Sequence, residues 1–407
     1  MDATAFTESR ARAGILALAF LDLAGFGMLI PSVQLRAESL GARGWLIGAI
    51  LASMFVVQTI ASPLWGGLSD RVGRKPVVLA CTALSAVSML VYAHAASVWI
   101  VLAARVLAGL GAANVSTAQA ALADASSPER RTALMGQAGA AVSTGLIVGP
   151  ALGGFLDARA GAPLVGHVAA GCSVAGLLAF GVLFPSAPPV KRTEEKDEER
   201  GSAVPLLLRN RLLLGLFAVA TVGWFALACL EGTFGRLAER NFGRGAEIFG
   251  AVFAYESLLA LGVQGFVVGP AQRRLGERRL LVVAFLLQGA GLAAFPFVGS
   301  VPMLFVASTV YSLGNSLVNP SVNGWCSRIT PERQQGAMFG LLQSARSLGF
   351  VVGPSLGGAM FDLRPFAPYV LAGGVSLVAA GIVLGLLDRD GTAHGRGLAA
   401  TDTIRNT

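Results

Sequence analysis

An internal repeat limits what this chain can fold into more than any other feature. The run Gly66-x3-Asp70-Arg71-x-Gly73-Arg74-Lys75 returns 203 residues later as Gly269-x3-Arg273-Arg274-x-Gly276-Glu277-Arg278. Pro128-Glu129-Arg130 returns as Pro331-Glu332-Arg333 at the same offset. Gly149-Pro150-x2-Gly153-Gly154 returns as Gly353-Pro354-x2-Gly357-Gly358, one residue out of register. Three patterns at one spacing describe two copies of a unit of roughly 200 residues.

Neither copy reads as a soluble domain. Only 13% of the residues are charged and 54% are apolar, where a soluble domain carries charge on about a quarter of its residues. Windows of about 20 residues, the length that crosses a hydrocarbon core, give twelve candidate spans, six per copy. They lie near 12–35, 45–68, 77–97, 98–122, 133–157, 164–185, 211–235, 246–270, 279–298, 301–326, 335–361 and 367–387. The expected fold is an all-α integral membrane protein with 12 transmembrane helices in two pseudo-symmetric six-helix bundles. The bundles occupy residues 1–185 and 211–387, joined by a hydrated linker at 186–210 and followed by a polar tail at 388–407. Six spans per copy give both halves the same orientation, related by an axis along the membrane normal.

Lys and Arg outside the spans fall mostly on the side of the N-terminus, which places both termini in the cytoplasm of a bacterial-type inner membrane. Arg10 and Arg12 imitate the start of a secretory signal, but the following apolar run is too long and contains Asp22, so an uncleaved first helix is expected. The net charge of +8 follows from the same asymmetry, and anionic headgroups account for it without nucleic acid. Cys81, Cys172, Cys229 and Cys326 are scattered through the spans without a C-x-x-C pair, as small packing residues are, and no metal site is expected. His94 and His167 near span ends are weak proton-relay candidates.

Charges at membrane depth single out candidate functional residues, because a charged side chain at a helix centre costs about 2.5–3.5 kcal/mol on insertion scales. Asp22, Arg105, Glu256 and Arg346 lie well inside their spans and Glu231 lies toward the end of the seventh. Glu256 and Arg346, of opposite sign and similar depth, read equally as a structural ion pair. Gln34, Asn114, Gln119, Asn315, Asn319 and Asn323 add polar groups on spans 1, 4 and 10, and Trp224 and Phe225 add aromatic surface on span 7. Asn315, Asn319 and Asn323 share one helix face, read as substrate contact or as interhelical hydrogen bonding. Pro150 inside Gly145-x3-Gly149-Pro150-x2-Gly153-Gly154 predicts a bend in the fifth span. No nucleophile triad or phosphate-cradling loop is present in the sequence, so neither an enzyme nor a nucleotide-driven pump is expected.

The loop at 66–75 resembles the signature cytoplasmic loop of the major facilitator superfamily, and the resemblance covers residues 12–387. Arg105-x3-Gly109-x-Gly111 looks like that family's second motif, and Gly145, Gly149, Pro150, Gly153 and Gly154 look like its antiporter motif. Asp22-x2-Gly25-x-Gly27-x3-Pro31 resembles the opening helix of twelve-span drug/proton antiporters, including tetracycline exporters. Pro128-Glu129-x-Arg131 fits that branch as well. The resemblance implies that spans 1, 4, 7 and 10 line a central cavity and that spans 3, 6, 9 and 12 face lipid. It implies that Arg105 modulates the protonation of Asp22, whose expected role is to exchange a proton for a cationic substrate, and Glu256 and Arg346 are candidates for proton coupling by their charge at membrane depth. The substrate contacts it implies are Asp22, Gln34, Asn114, Gln119, Trp224, Phe225, Glu231, Asn315 and Asn319. Asp70, Arg71, Arg74 and Asp124 would latch the inner gate. The second copy departs from the pattern, with Arg273 at the loop acid and Ser308 opposite Arg105.

The expected function is therefore proton-coupled antiport that exports a small amphiphilic or drug-like compound by alternating access. The cofactor is none beyond the proton gradient, and the partners are the substrate, protons and the lipid bilayer. A monomer is expected because one chain contains a complete pathway. Alternatives are a dedicated exporter of an endogenous metabolite or siderophore, proton-coupled uptake, or a membrane sensor without flux.

Overall fold

A computed structural model describes residues 3–124, 128–185, 211–330 and 335–385, which are helical apart from short turns. In chain order the helices are α1 (Ala3–Ser39), α2 (Gly44–Val72), α3 (Arg74–Ala93), α4 (Val98–Gly111), α5 (Asn114–Asp124) and α6 (Pro128–Leu183). They continue with α7 (Arg211–Phe242), α8 (Gly245–Gly262), α9 (Val268–Ala294), α10 (Val301–Ile329), α11 (Gln335–Leu363) and α12 (Ala367–Gly385). One π turn, Val263–Val267, joins α8 to α9.

Two continuous helical runs, α6 and α8 through α9, are each two spans. At Gly161 of α6 the backbone leaves the helix with φ 73°, a conformation open to glycine and strained for any residue with a β-carbon. Before that point Gly145, Gly149 and Gly153 pass Phe20, Ala24 and Met28 in turn, so the first arm runs along α1 in its own direction. After it, Ala169 meets Gly25, Gly176 meets Leu18 and Phe180 meets Gly14, so the second arm runs back along α1. The helix α9 turns in the same way at Gly276. The fourth span is the reverse case, one span made of two helices, α4 and α5, interrupted at Ala112 and Ala113. Nine helical segments among the described residues are long and apolar enough to cross a membrane, and two of them are these doubled ones. With α11, less apolar because it carries Gln343 and Arg346, the described helices are consistent with twelve spans. Spans 3, 6, 9 and 12 expose Leu90, Leu178, Leu286 and Val378, and spans 2, 8 and 10 expose Leu64, Leu258 and Val306 as well.

The repeat is written in the backbone too. Gly73, which separates α2 from α3, has φ 97° and ψ 157°, and Gly276, 203 residues on, has φ 73° and ψ 158°.

Packing divides the chain into two compact units. One comprises Met1–Asp197, Cys229–Leu258 and Phe350–Pro368. Its core includes Ile47, Ile50, Met89, Tyr92, Val101 and Val165. Within it α2 crosses α11 at Gly44 and Gly48 against Gly358 and Pro354, and α8 crosses α6 at Ala246 and Gly250 against Gly154 and Pro150. None of these five glycines has room for a β-carbon against the facing backbone. In this way, small residues let membrane helices approach to backbone contact. The two crossings are images of each other under the repeat.

The glycine motif thereby acquires two faces. Gly145, Gly149 and Gly153, spaced by four, lie against α1, while Pro150 and Gly154 meet α8. The helix keeps helical dihedrals through Pro150, and its non-helical residue is Gly161. The second unit, Glu198–Ala228, Leu259–Gly349 and Tyr369–Thr407, packs around Leu216, Leu281, Phe285, Val318 and Trp325.

Candidate functional site

Three helices converge on Asp22. Its carboxylate is buried midway along α1 and accepts hydrogen bonds of 2.6 Å from Asn114 Nδ2 and of 2.6 Å from Ser173 Oγ. The interruption of the fourth span puts Asn114 in the first turn of α5, where its own Oδ1 accepts from the Val115 N–H at 2.7 Å and fixes which end of the amide faces the acid. Ser173 comes from the returning arm of α6 and also approaches Met89 Sδ at 3.4 Å. Both partners are neutral. A hydroxyl can donate or accept, so Ser173 can serve Asp22 whether the carboxyl is ionised or protonated. A permanent cation at that place would hold the acid in one state.

Arg105 is not among the hydrogen-bond partners of Asp22. It is 5% exposed, and its guanidinium stands 5.6 Å over the Phe26 ring, one α1 turn beyond Asp22. Glu256 is buried in α8. Arg346 lies 4.8 Å over the ring of Trp224, and Phe225 is buried beside it in sequence. Gln34 is fully buried and donates to the Glu231 backbone carbonyl at 3.0 Å, joining α1 to α7. The Glu231 side chain is half-buried. Asn315 accepts from Gln288 at 3.1 Å, an interhelical bond, while Gln119 and Asn319 are half-buried and Asn323 is exposed.

In the loop of the first copy, Arg74 pairs with Asp70 at 2.7 Å and donates to Ser69, and Arg71 is exposed. Lys75 ties the loop to the end of α6 through the Phe184 carbonyl at 2.6 Å. The side chain of Asp124, and those of Glu129 and Arg131, lie outside the described residues. His94 and His167 touch edge to face, with ring centres 4.9 Å apart, and each Nδ1 bonds a carbonyl of its own helix.

Three groups had no place in the sequence reading. Ser173 is a small residue in an apolar span, and its only mark is a serine at the same repeat position, Ser376. Arg236, 8% exposed, bonds Glu38 at 2.9 Å and Asp362 at 3.0 Å and stacks 4.5 Å over Phe361. Asp362 in turn accepts the Gly44 N–H at the start of α2, where the helix dipole favours an anion. This cluster lies by a cleft of about 410 Å³ that Glu239 and Arg240 also line. Charges at span ends resemble flanking loop charges, which hid it. The third group is Glu277 with Arg328, 2.7 Å apart.

Long apolar helices with an acid, an amide and a hydroxyl meeting midway along α1 describe a multi-span membrane protein. The family model of the Major Facilitator Superfamily matches residues 15–267 and 232–405. The chain belongs to that superfamily. It is 28% identical over 376 residues to Multidrug resistance protein 2 of Bacillus subtilis, covering 91% of this chain and 93% of the relative. It is also 28% identical over 349 residues to the class E Tetracycline resistance protein of Escherichia coli, covering 83% and 85%. Among solved structures it resembles the human organic anion transporter MFSD10, with a TM-score of 0.65 at 24% identity over 92% of this chain and 99% of that one.

Proposed function

We propose that this protein exports a small amphiphilic, drug-like compound across the cytoplasmic membrane in exchange for protons, with both termini in the cytoplasm. One observation carries the reading: the acid at the centre of α1 is held by an amide and a hydroxyl, partners that tolerate both of its protonation states. The names of the drug-resistance relatives support the direction of transport and the kind of cargo. Deprotonated Asp22 takes the cargo from the inner side, and a proton arriving from outside displaces it.

With that orientation, the two glycine crossings and the Arg236 cluster lie at the outer ends of their helices. They seal that end of the first unit, and Arg236, bridging α1 and α11 from α7, acts as the outer latch. Asp70 and Arg74, at the other end, belong to the inner one. Reconstituted vesicles carrying an imposed pH gradient test the reading. Export of ethidium, a lipophilic cation, that rises with the gradient and stops when a protonophore removes it is the expected result. Transport that ignores the gradient would leave Asp22 without the assigned task.

A further inference from the structure

Two arginines in the first unit are almost equally withdrawn from solvent, and they are treated in opposite ways. Arg236, 8% exposed, has two carboxylates and an aromatic ring. Arg105, 5% exposed, has among the described residues neither a hydrogen bond nor an ion pair, its buried Nε included, and its nearest assigned partner is the Phe26 ring. A buried charge is costly unless it is paired, and at membrane depth the cost is larger still. Cation–π attraction offsets part of it, about 2 kcal/mol at a desolvated site. The nearest acid on α1, Asp22, is committed to Asn114 and Ser173.

The surroundings describe what would complete Arg105. Phe26 is half-buried and offers one face of an aromatic ring. Asp22 precedes it by four residues and so lies on the same face of α1. The fourth span is interrupted between Arg105 and Asn114, and broken helices are where membrane transporters build cargo sites. A guanidinium offers a planar fork of donors that matches a carboxylate.

We propose that Arg105 and Phe26 form a subsite for an acidic group carried on an aromatic body, and that the cargo is amphoteric. Its carboxylate sits on Arg105, its ring on Phe26, and its basic nitrogen is directed toward Asp22. This rests on the export reading above and narrows its cargo class. It also gives Arg105 a task besides the modulation of proton exchange that the family resemblance implies.

The test uses the full chain in lipid nanodiscs and three probes that differ in one group each: 6-(aminomethyl)-2-naphthoic acid, its methyl ester, and 2-naphthoic acid. Hydrogen bonds to a charged partner predict that the acid binds at least about tenfold more tightly than its ester. In Arg105→Gln that preference falls to about one, in Arg105→Lys part of it remains, and Phe26→Leu weakens all three probes together. The preference between acid and ester survives in Asp22→Asn, because it is set at Arg105. Equal binding of acid and ester by the unaltered protein, no binding of either acid, or an acid preference kept in Arg105→Gln would each overturn the subsite. The unaltered protein decides the first two even if Arg105→Gln does not fold. Gradient-driven ethidium export measured alongside separates the two claims. Export without acid preference removes the subsite alone, and acid preference without export removes the export reading alone.

Discussion

The two copies of the repeat place a serine at the same point and use it differently. Ser173 on the returning arm of α6 bonds the carboxylate of Asp22. Ser376 on α12, 203 residues on, bonds Gln288 at 3.3 Å, and Gln288 bonds Asn315. The first cluster can gain or lose a proton, whereas the second is made of amides and a hydroxyl and cannot. Duplication thus left one bundle with a titratable centre and gave the other a neutral one that joins α9, α10 and α12. Nearer the helix ends the contrast reverses. Arg236 stands 202 residues after Gln34, so the arginine of the ionic cluster belongs to the second copy and the amide of the neutral bond to the first.

Removing the acid should have the largest consequence. Asp22→Asn leaves an isostere that keeps the hydrogen-bond geometry and cannot take a proton, so gradient-driven export should fall to the level of empty vesicles while the protein stays monodisperse with its melting temperature nearly unchanged. Undiminished export would end the claim that the copies differ in proton exchange. Arg236→Gln comes next, because it strands two carboxylates. Removing one member of a buried pair costs about 3–5 kcal/mol, reduced here to about 1–3 because Glu38 and Asp362 are partly wet. Spin labels on α1 and α11 near those acids should report a larger population of separated ends. An unchanged distance distribution would reduce Arg236 to a surface bridge.

The serines sharpen the comparison at smaller scale. Ser173→Ala removes one of two donors to a charged group, about 1.5–3 kcal/mol if the acid is ionised, and should slow export several-fold while leaving it coupled. Ser376→Ala or Gln288→Leu breaks a neutral bond between membrane helices, which averages about 0.6 kcal/mol. A change of a few degrees or less in apparent Tm and normal export are expected. If the Ser376 and Ser173 variants slow export alike, the neutral cluster takes part in transport and the two copies are not asymmetric in this respect.

Much of this was legible in the sequence because it follows from period and composition. Twelve spans, the repeat, the glycine motif and the loop at 66–75 are all patterns along the chain. Asp22 and Arg105 were visible because charge in an apolar run is conspicuous. What the sequence concealed were partners across space. Nothing along the chain says that Gly145, Gly149 and Gly153 face α1 while Gly154 faces α8, since the distinction is 100° of helix rotation. Asn315 stood on an apparent cavity stripe, yet its oxygen goes to Gln288. The one non-helical residue of α6, Gly161, lies beyond the glycine motif and carried no signal of its own.

An effect of similarly small size is expected where the two copies differ by sign. The loop of the first copy has Asp70 and Arg74, and the same positions of the second hold Arg273 and Glu277. Arg74 pairs with Asp70 and Lys75 reaches the Phe184 carbonyl in the first copy, while in the second Glu277 reaches Arg328 at the end of α10 and Arg278 stacks 4.9 Å over Trp325 of the same helix. The reversed loop is therefore tied to a neighbouring span. Arg328 is 70% exposed, so the pair should contribute about 1 kcal/mol or less. A charge exchange isolates it: Glu277→Arg and Arg328→Glu should each lower the apparent Tm slightly, and the double variant should recover most of the loss. A coupling energy of zero in that cycle would mean that Glu277 and Arg328 meet without holding anything. The stacking of Arg278 on Trp325 would then be the tie that joins this loop to α10.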